Sequence, residues 1–110
     1  MKNSVELVGR LTADAESKSL ASGELQASVR LAINRVYRKS DKTLAESTTF
    51  LTVRAFRAQA EVLKNLKQSD CVSVKGRLRS YDFEKDGAKS TRLEVEALEA
   101  RKVERSEIEE

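Results

Sequence analysis

From Val72 to Phe83 the chain reads Val-Ser-Val-Lys-Gly-Arg-Leu-Arg-Ser-Tyr-Asp-Phe, and its side chains change character one by one. A period of two demands an extended strand with two unlike faces, since a helix repeats a face only every three to four residues. Val72, Val74, Gly76 and Leu78 make a face suited to a core. Ser73, Lys75, Arg77, Arg79, Tyr81 and Phe83 make the other. That second face sets three cations in a row before two aromatics. An ordinary solvated strand face would mix the signs of its charges. Cations for phosphates beside rings for bases are what a single-stranded nucleic acid asks of a surface.

The same period recurs along the chain. Ser4 to Leu11 sets Val5, Leu7, Gly9 and Leu11 against Glu6, Val8 and Arg10. Leu25 to Asn34 alternates most cleanly, with Leu25, Ala27, Val29, Leu31 and Ile33 opposed to Gln26, Ser28, Arg30, Ala32 and Asn34. Thr48 to Phe56 sets Thr49, Leu51, Val53 and Ala55 against Thr48, Phe50, Thr52, Arg54 and Phe56. Lys89 to Ala97 brings Thr91, Leu93, Val95 and Ala97 to one side. Ser22-Gly23 and Asp86-Gly87 are turn signals. Thr12 to Leu20 is polar and reads as an exposed excursion. Arg57 to Gln68 changes period: Ala58, Val62, Leu63 and Leu66 fit an amphipathic helix of about three turns that plugs a sheet or barrel.

Two segments admit a bland and a functional reading. Arg35 to Ser47 reads as a loop holding Arg35, Arg38, Lys39 and Lys42 around Tyr37. It is either a solvated loop or a basic finger that closes over phosphates with one stacking ring. Phe50 and Phe56 flank Arg54 on the less apolar side of their strand. Either both faces of that strand are buried or the rings form a stacking platform. Function is favoured for Phe50, and core is equally compatible with Phe56.

Composition removes whole classes of chemistry. The 110 residues suit one domain, placed at 1–103 with a short acidic tail over 104–110. There is no His, and Cys71 is the only cysteine. Ser-His and Cys-His catalysis, thiolate zinc sites and an internal disulfide are therefore all excluded. No carboxylate pair has the spacing of an acid–base couple, so the expectation is no enzyme, no metal and no cofactor. No stretch is apolar enough to span a membrane, and the N-terminus lacks the apolar run of a signal peptide. A cytoplasmic, nucleoid-associated protein is expected. Residues 94–110 hold seven Glu against three Lys/Arg, while residues 1–93 hold eighteen Lys/Arg against eleven Asp/Glu. A basic body with an acidic end points to nucleic acid.

Five strands with one helix between the third and fourth suit an all-β fold, the five-stranded Greek-key barrel called the OB-fold. Val5 to Leu11, Asp14, Glu16, Ser22-Gly23 and Val29 to Arg35 follow the order seen in bacterial single-stranded DNA-binding proteins. Thr49-Phe50, Phe56, Ala60-Glu61, Leu66, Val72 to Leu78, Asp86-Gly87 and Leu93 to Val95 continue it. The chain resembles that family over roughly residues 3–100. The resemblance implies stacking rings at Tyr37, Phe50, Phe56 and Phe83, and alternation adds Tyr81 beside Phe83. Arg35, Arg38, Lys39, Arg54, Lys75, Arg77 and Arg79 are the expected phosphate contacts.

The resemblance also implies single-stranded DNA as partner, a role in replication, recombination or repair, and a homotetramer built as a dimer of dimers. The departures are specific. No ring here is Trp, Ala15 stands where the family usually has Pro, and Arg57-Ala58 replaces a common Gly-Lys. The chain stops at Ser-Glu-Ile-Glu-Glu, without the family's long tail and its acidic, aromatic-tipped end. That ending fits a short form, or a chain from which the tail is missing, and gives no basis for recruiting replication proteins by that route. Two other roles suit the same residues: an OB-fold adaptor in a replication-restart complex, and an RNA-binding OB module.

Overall fold

The computed structural model describes residues 1–104, so the predicted acidic tail lies outside it except for Glu104. Its strands are β1 (Val5–Leu11), β2 (Glu16–Ser19), β3 (Leu25–Arg38), β4 (Leu44–Phe56), β5 (Cys71–Lys85) and β6 (Ala88–Val103), with helix α1 (Arg57–Leu63) after β4. They form one sheet in the order β1-β5-β6-β4-β3-β2, and β1 returns to pair with β3. This return closes β1, β3, β4, β5 and β6 into the expected five-stranded barrel. β2 is appended outside the closure, on the β3 edge.

The apolar faces read from alternation do line the interior. Leu11, Leu31, Val53, Leu63, Val72, Val74 and Val95 are almost entirely removed from solvent. Each such side chain contributes about 1.5–3 kcal/mol on burial, so stability resides in the barrel. The helix covers one end through Ala60 and Leu63, with Leu66 following in the next turn.

The structure corrects the element boundaries in four places. First, Arg35–Ser47 is not a loop. Arg35 pairs with Ser47, Val36 with Glu46, Tyr37 with Ala45 and Arg38 with Leu44. Only Lys39–Thr43 turns, closed by the Lys39 N–H on the Thr43 carbonyl at 2.8 Å and by Asp41 accepting from the Thr43 N–H and hydroxyl. Charge density hid this arm because a strand exposed on both faces needs no apolar alternation, only a partner for its backbone groups.

Second, the polar excursion contains β2, which pairs from Glu16↔Ser28 to Ser19↔Leu25. With it counted, the helix follows the fourth strand rather than the third. Third, the helix ends at Leu63 rather than Gln68. Tertiary hydrogen bonds take over there, the Gln68 N–H donating to Asp14 and the Ser69 N–H to the Leu11 carbonyl, while the Lys67 N–H donates locally to Asp70. Its covered face uses Ala60, while Ala58 is exposed. Fourth, β6 continues to Val103, past the expected end at Ala97.

Two glycines mark where backbones close the barrel. The register slips between Lys75↔Glu99 and Gly76↔Ala97, leaving Leu98 as an extra, unpaired residue on β6. A Cβ on Gly76 would stand 2.0 Å from the Glu96 carbonyl oxygen, and one on Gly9 would stand 2.9 Å from that of Ala32. Beyond the barrel, the β3–β4 and β5–β6 hairpins extend as exposed arms, and the longest dimension is 53 Å. The core face of the second arm opens to solvent at Leu78 and Leu93.

The Gly76 contact is with backbone and cannot be relieved by a rotamer change. Gly76→Ala is expected to cost about 3 kcal/mol or more, read as a lowered midpoint in urea unfolding followed by circular dichroism.

Candidate nucleic-acid interface

The outward face of the barrel is built from the polar side of four strands. On β3–β4 the cross-strand pairs are Ala32↔Phe50, Arg30↔Thr52, Ser28↔Arg54 and Gln26↔Phe56. On β5–β6 they are Arg79↔Glu94, Tyr81↔Arg92 and Phe83↔Ser90. β4 and β6 meet in a short parallel register, Val53↔Val95 and Arg54↔Glu96, which joins the two halves. A groove of about 470 Å³ runs over this face between the β1–β2 connection, Arg30, Thr52 and Arg54. It continues into a second hollow of about 320 Å³ bounded by Phe56, Tyr81, Phe83 and Arg92.

The rings differ in what they offer. Phe50 is 53 % exposed, and the Arg30 guanidinium carbon lies 5.6 Å from its centroid. Phe83 is half-buried with Arg92 at 4.9 Å. Phe56 is half-buried at the end of β4, on the wall shared with Tyr81 and Phe83. Tyr81 lies under two guanidiniums, those of Arg54 at 5.2 Å and Arg79 at 5.4 Å, and its buried hydroxyl has no hydrogen-bond partner. Burial raises its phenol pKa, with the carboxylates of Glu96 and Glu94 adding to the effect and Arg79 and Arg54 opposing it.

Tyr37 stands apart. It is an odd number of positions from Ala32, so it faces away from Phe50 on the β3–β4 arm, next to Arg35 at 5.8 Å. The structure therefore brings Phe50, Phe56, Tyr81, Phe83 and Arg54 to one surface and leaves Tyr37 and Arg35 on the other side of an exposed arm. Arg38 returns to the Phe50 side of the arm, with its Nη1 on the Lys42 carbonyl at 3.5 Å, and Lys39 sits at the tip. Lys75 is exposed, in register with Glu6 on one side and Glu99 on the other.

Two residues that alternation did not single out govern the electrostatics. Glu94 is fully buried and accepts from Arg54 through both oxygens, Nε to Oε1 at 2.8 Å and Nη2 to Oε2 at 3.1 Å. Arg92 approaches the same carboxylate at 3.8 Å. Glu96 accepts from Arg77 at 3.1 Å through one oxygen and from Arg79 through the other. Burial alone would raise the Glu96 pKa. The Arg79 hydrogen bond and the charges of Arg77 and Arg79 outweigh it and hold the carboxyl below its ordinary 4.5. The hydrogen bond to Glu94 likewise raises the Arg54 pKa.

Arg30, Arg92, Glu94 and Glu96 are residues of this face that the sequence reading did not single out. Their signal was present for Arg30, which lies on the polar side of its strand. Glu94 and Glu96 read as part of an acidic end, and only the β4–β6 contact shows what they pair with. Among the described residues no cluster of three metal-ligating side chains occurs, and no helix is long and apolar enough to cross a membrane.

Comparison with known proteins places the whole described chain. The model of the single-strand binding protein family matches residues 2–104. The chain belongs to that family. A single-stranded DNA-binding protein of Helicobacter pylori is 37 % identical over 100 residues, covering 88 % of this chain and 55 % of the relative. Single-stranded DNA-binding protein 2 of Staphylococcus aureus is 36 % identical over 99 residues, covering 88 % and 69 %. The chain spans about half the length of several curated relatives it matches.

Among solved structures, a deletion mutant of the Thermus aquaticus single-stranded DNA-binding protein superposes with a TM-score of 0.83 at 28 % identity. It aligns with 94 % of this chain and 51 % of its own. A Plasmodium falciparum relative solved in complex with single-stranded DNA gives 0.83 at 19 % identity, covering 94 % and 96 %, a likeness that speaks for the fold.

Two outcomes follow from the carboxylates. Arg54→Met leaves the Glu94 carboxylate buried without its bidentate partner and is expected to destabilise the fold by about 3–5 kcal/mol in urea unfolding. For Glu96, the folded pKa lies below the unfolded one, so its contribution is present at neutral pH and lost as pH falls below about 4.5. Melting temperature measured from about pH 6 to pH 3 should therefore fall less in Glu96→Gln than in the parent chain.

Proposed function

We propose that this protein binds single-stranded DNA with little sequence preference, by stacking bases on Phe50, Phe83 and Phe56 while Arg30 and the arm cations meet phosphates. The observation that carries the reading is the pairing of an exposed Phe50 with Arg30, which lines an open groove. A ring has no base preference of its own, and a guanidinium beside it satisfies the charge that follows each base. The groove continues to a second ring–guanidinium pair, Phe83 with Arg92. Family membership supports the same reading, with protection of single strands in replication, recombination or repair in the nucleoid as its setting.

Tyr37 is assigned a different task within the same function. It stacks on a stretch of strand that wraps the β3–β4 arm, helped by Arg35, Arg38 and Lys39. Assembly into a homotetramer is part of the proposal. The exposed apolar residues Val8, Leu78, Leu93 and Leu98 lie on barrel and arm surfaces that a second copy would cover. Sedimentation velocity should return a single species of about four times the chain mass.

The deciding test is fluorescence anisotropy with labelled dT oligomers, alongside duplex DNA and RNA of equal length, at two salt concentrations. Tight, salt-sensitive binding of the DNA single strand and much weaker binding of the duplex are expected. Phe50→Ala should lose about 1–3 kcal/mol of affinity while its melting temperature is kept. Preference for RNA would favour the RNA-binding module, and weak binding to every nucleic acid would favour the adaptor role.

A further inference from the structure

The cations of the groove face fall into two groups that the structure treats differently. Arg54 commits the side edge of its guanidinium, Nε and Nη2, to a carboxylate that solvent does not reach. Arg77 and Arg79 divide the two oxygens of Glu96 between them. Arg54 and Arg79 are further immobilised over the Tyr81 ring. A phosphate arriving here would meet guanidiniums whose charge a neighbouring buried carboxylate already offsets. Arg30 is the opposite case. Among the described residues its guanidinium has no acceptor and only lies beside Phe50. Lys18, exposed on β2, lines the same groove and has no partner either. Among the described residues, the carboxylates lining that side of the groove are Glu16 and Asp14, and Asp14 is engaged by the Gln68 N–H.

We propose that Glu94 and Glu96 are built-in counter-anions that withhold Arg54, Arg77 and Arg79 from a phosphate backbone and direct its track to the β2–β3 side, past Arg30 and Lys18. The inference rests on the single-strand reading for its natural ligand, but not for its electrostatics. It reverses the assignment that alternation alone makes. Arg77 and Arg79 of β5 are tied to Glu96, with Arg79 also over Tyr81, and Glu96 sets how much positive charge the face presents. Of its two carboxylates, Glu96 is the accessible control, because Glu94 is wholly buried and its loss would strand Arg54.

The test is the salt dependence of binding, since each phosphate neutralised changes the slope of log K against log salt by about 0.7 for a single strand. Parent chain, Glu96→Gln, Arg77→Gln and Arg30→Gln are titrated with a dT oligomer by anisotropy and with inorganic polyphosphate, which has no bases, by calorimetry. Glu96→Gln should steepen the slope by about 0.7 for each guanidinium that gains a phosphate. Arg30→Gln should flatten it by about the same amount, and Arg77→Gln should leave it unchanged.

A folded Glu96→Gln whose slope is unchanged or flatter overturns the proposal. If that variant fails to fold, Arg77→Gln decides, since flattening equal to that of Arg30→Gln also overturns it. A parent chain that ignores dT but shows the expected order with polyphosphate removes the single-strand reading and leaves the charge assignment standing. Strong dT binding without that order does the reverse.

Discussion

The architecture depends on a carboxylate where solvent cannot reach. Glu94 lies on β6 with its two oxygens on Arg54 of β4, at the short parallel register that joins the two halves of the barrel. Burying an unpaired carboxylate would cost more than any single apolar contact of the core returns. Arg54 must therefore stay where Glu94 can hold it, and the register of β4 against β6 is set with it. Glu96, two residues along β6, repeats the arrangement with Arg77 and Arg79 of β5. One strand thus ties its neighbours on both sides through polar groups, while Val95 between them belongs to the core.

Closure of the barrel asks for the opposite property, the absence of a side chain. Gly76 lies against the β6 backbone where Leu98 is squeezed out of the ladder, and Gly9 lies against β3. These contacts let five short strands curl tightly enough for Leu11, Leu31 and Leu63 to fill the interior. The arms share none of this burial. They are held by backbone pairing with a few exposed side-chain hydrogen bonds, such as Thr48 to Asn34 and Thr91 to Asp82.

The proposed binding surface follows from this division. Its aromatic residues sit where polar faces of different strands converge, and a guanidinium attends each except Phe56. The same pairing has two meanings. Beside Phe50 the guanidinium of Arg30 has no carboxylate among the described residues, whereas the two over Tyr81 are held by glutamates and Arg92 beside Phe83 lies 3.8 Å from Glu94. Net charge does not distinguish these cases; the presence of a neighbouring carboxylate does.

Alternation in Leu25–Asn34, Thr48–Phe56 and Val72–Phe83 was enough to determine the strands, their core faces and the presence of rings and cations on the other side. The change of period after Phe56 located the helix. Local pattern suffices there because burial imposes it residue by residue. The β3–β4 arm, the strand at Glu16–Ser19 and the end of the helix were illegible, because each is held by pairing or hydrogen bonds to distant residues rather than by its own apolar face. For the same reason only the tertiary structure decided which cations are free. Arg30 and Arg77 look alike along the chain, and what separates them is whether a glutamate from another strand lies within reach.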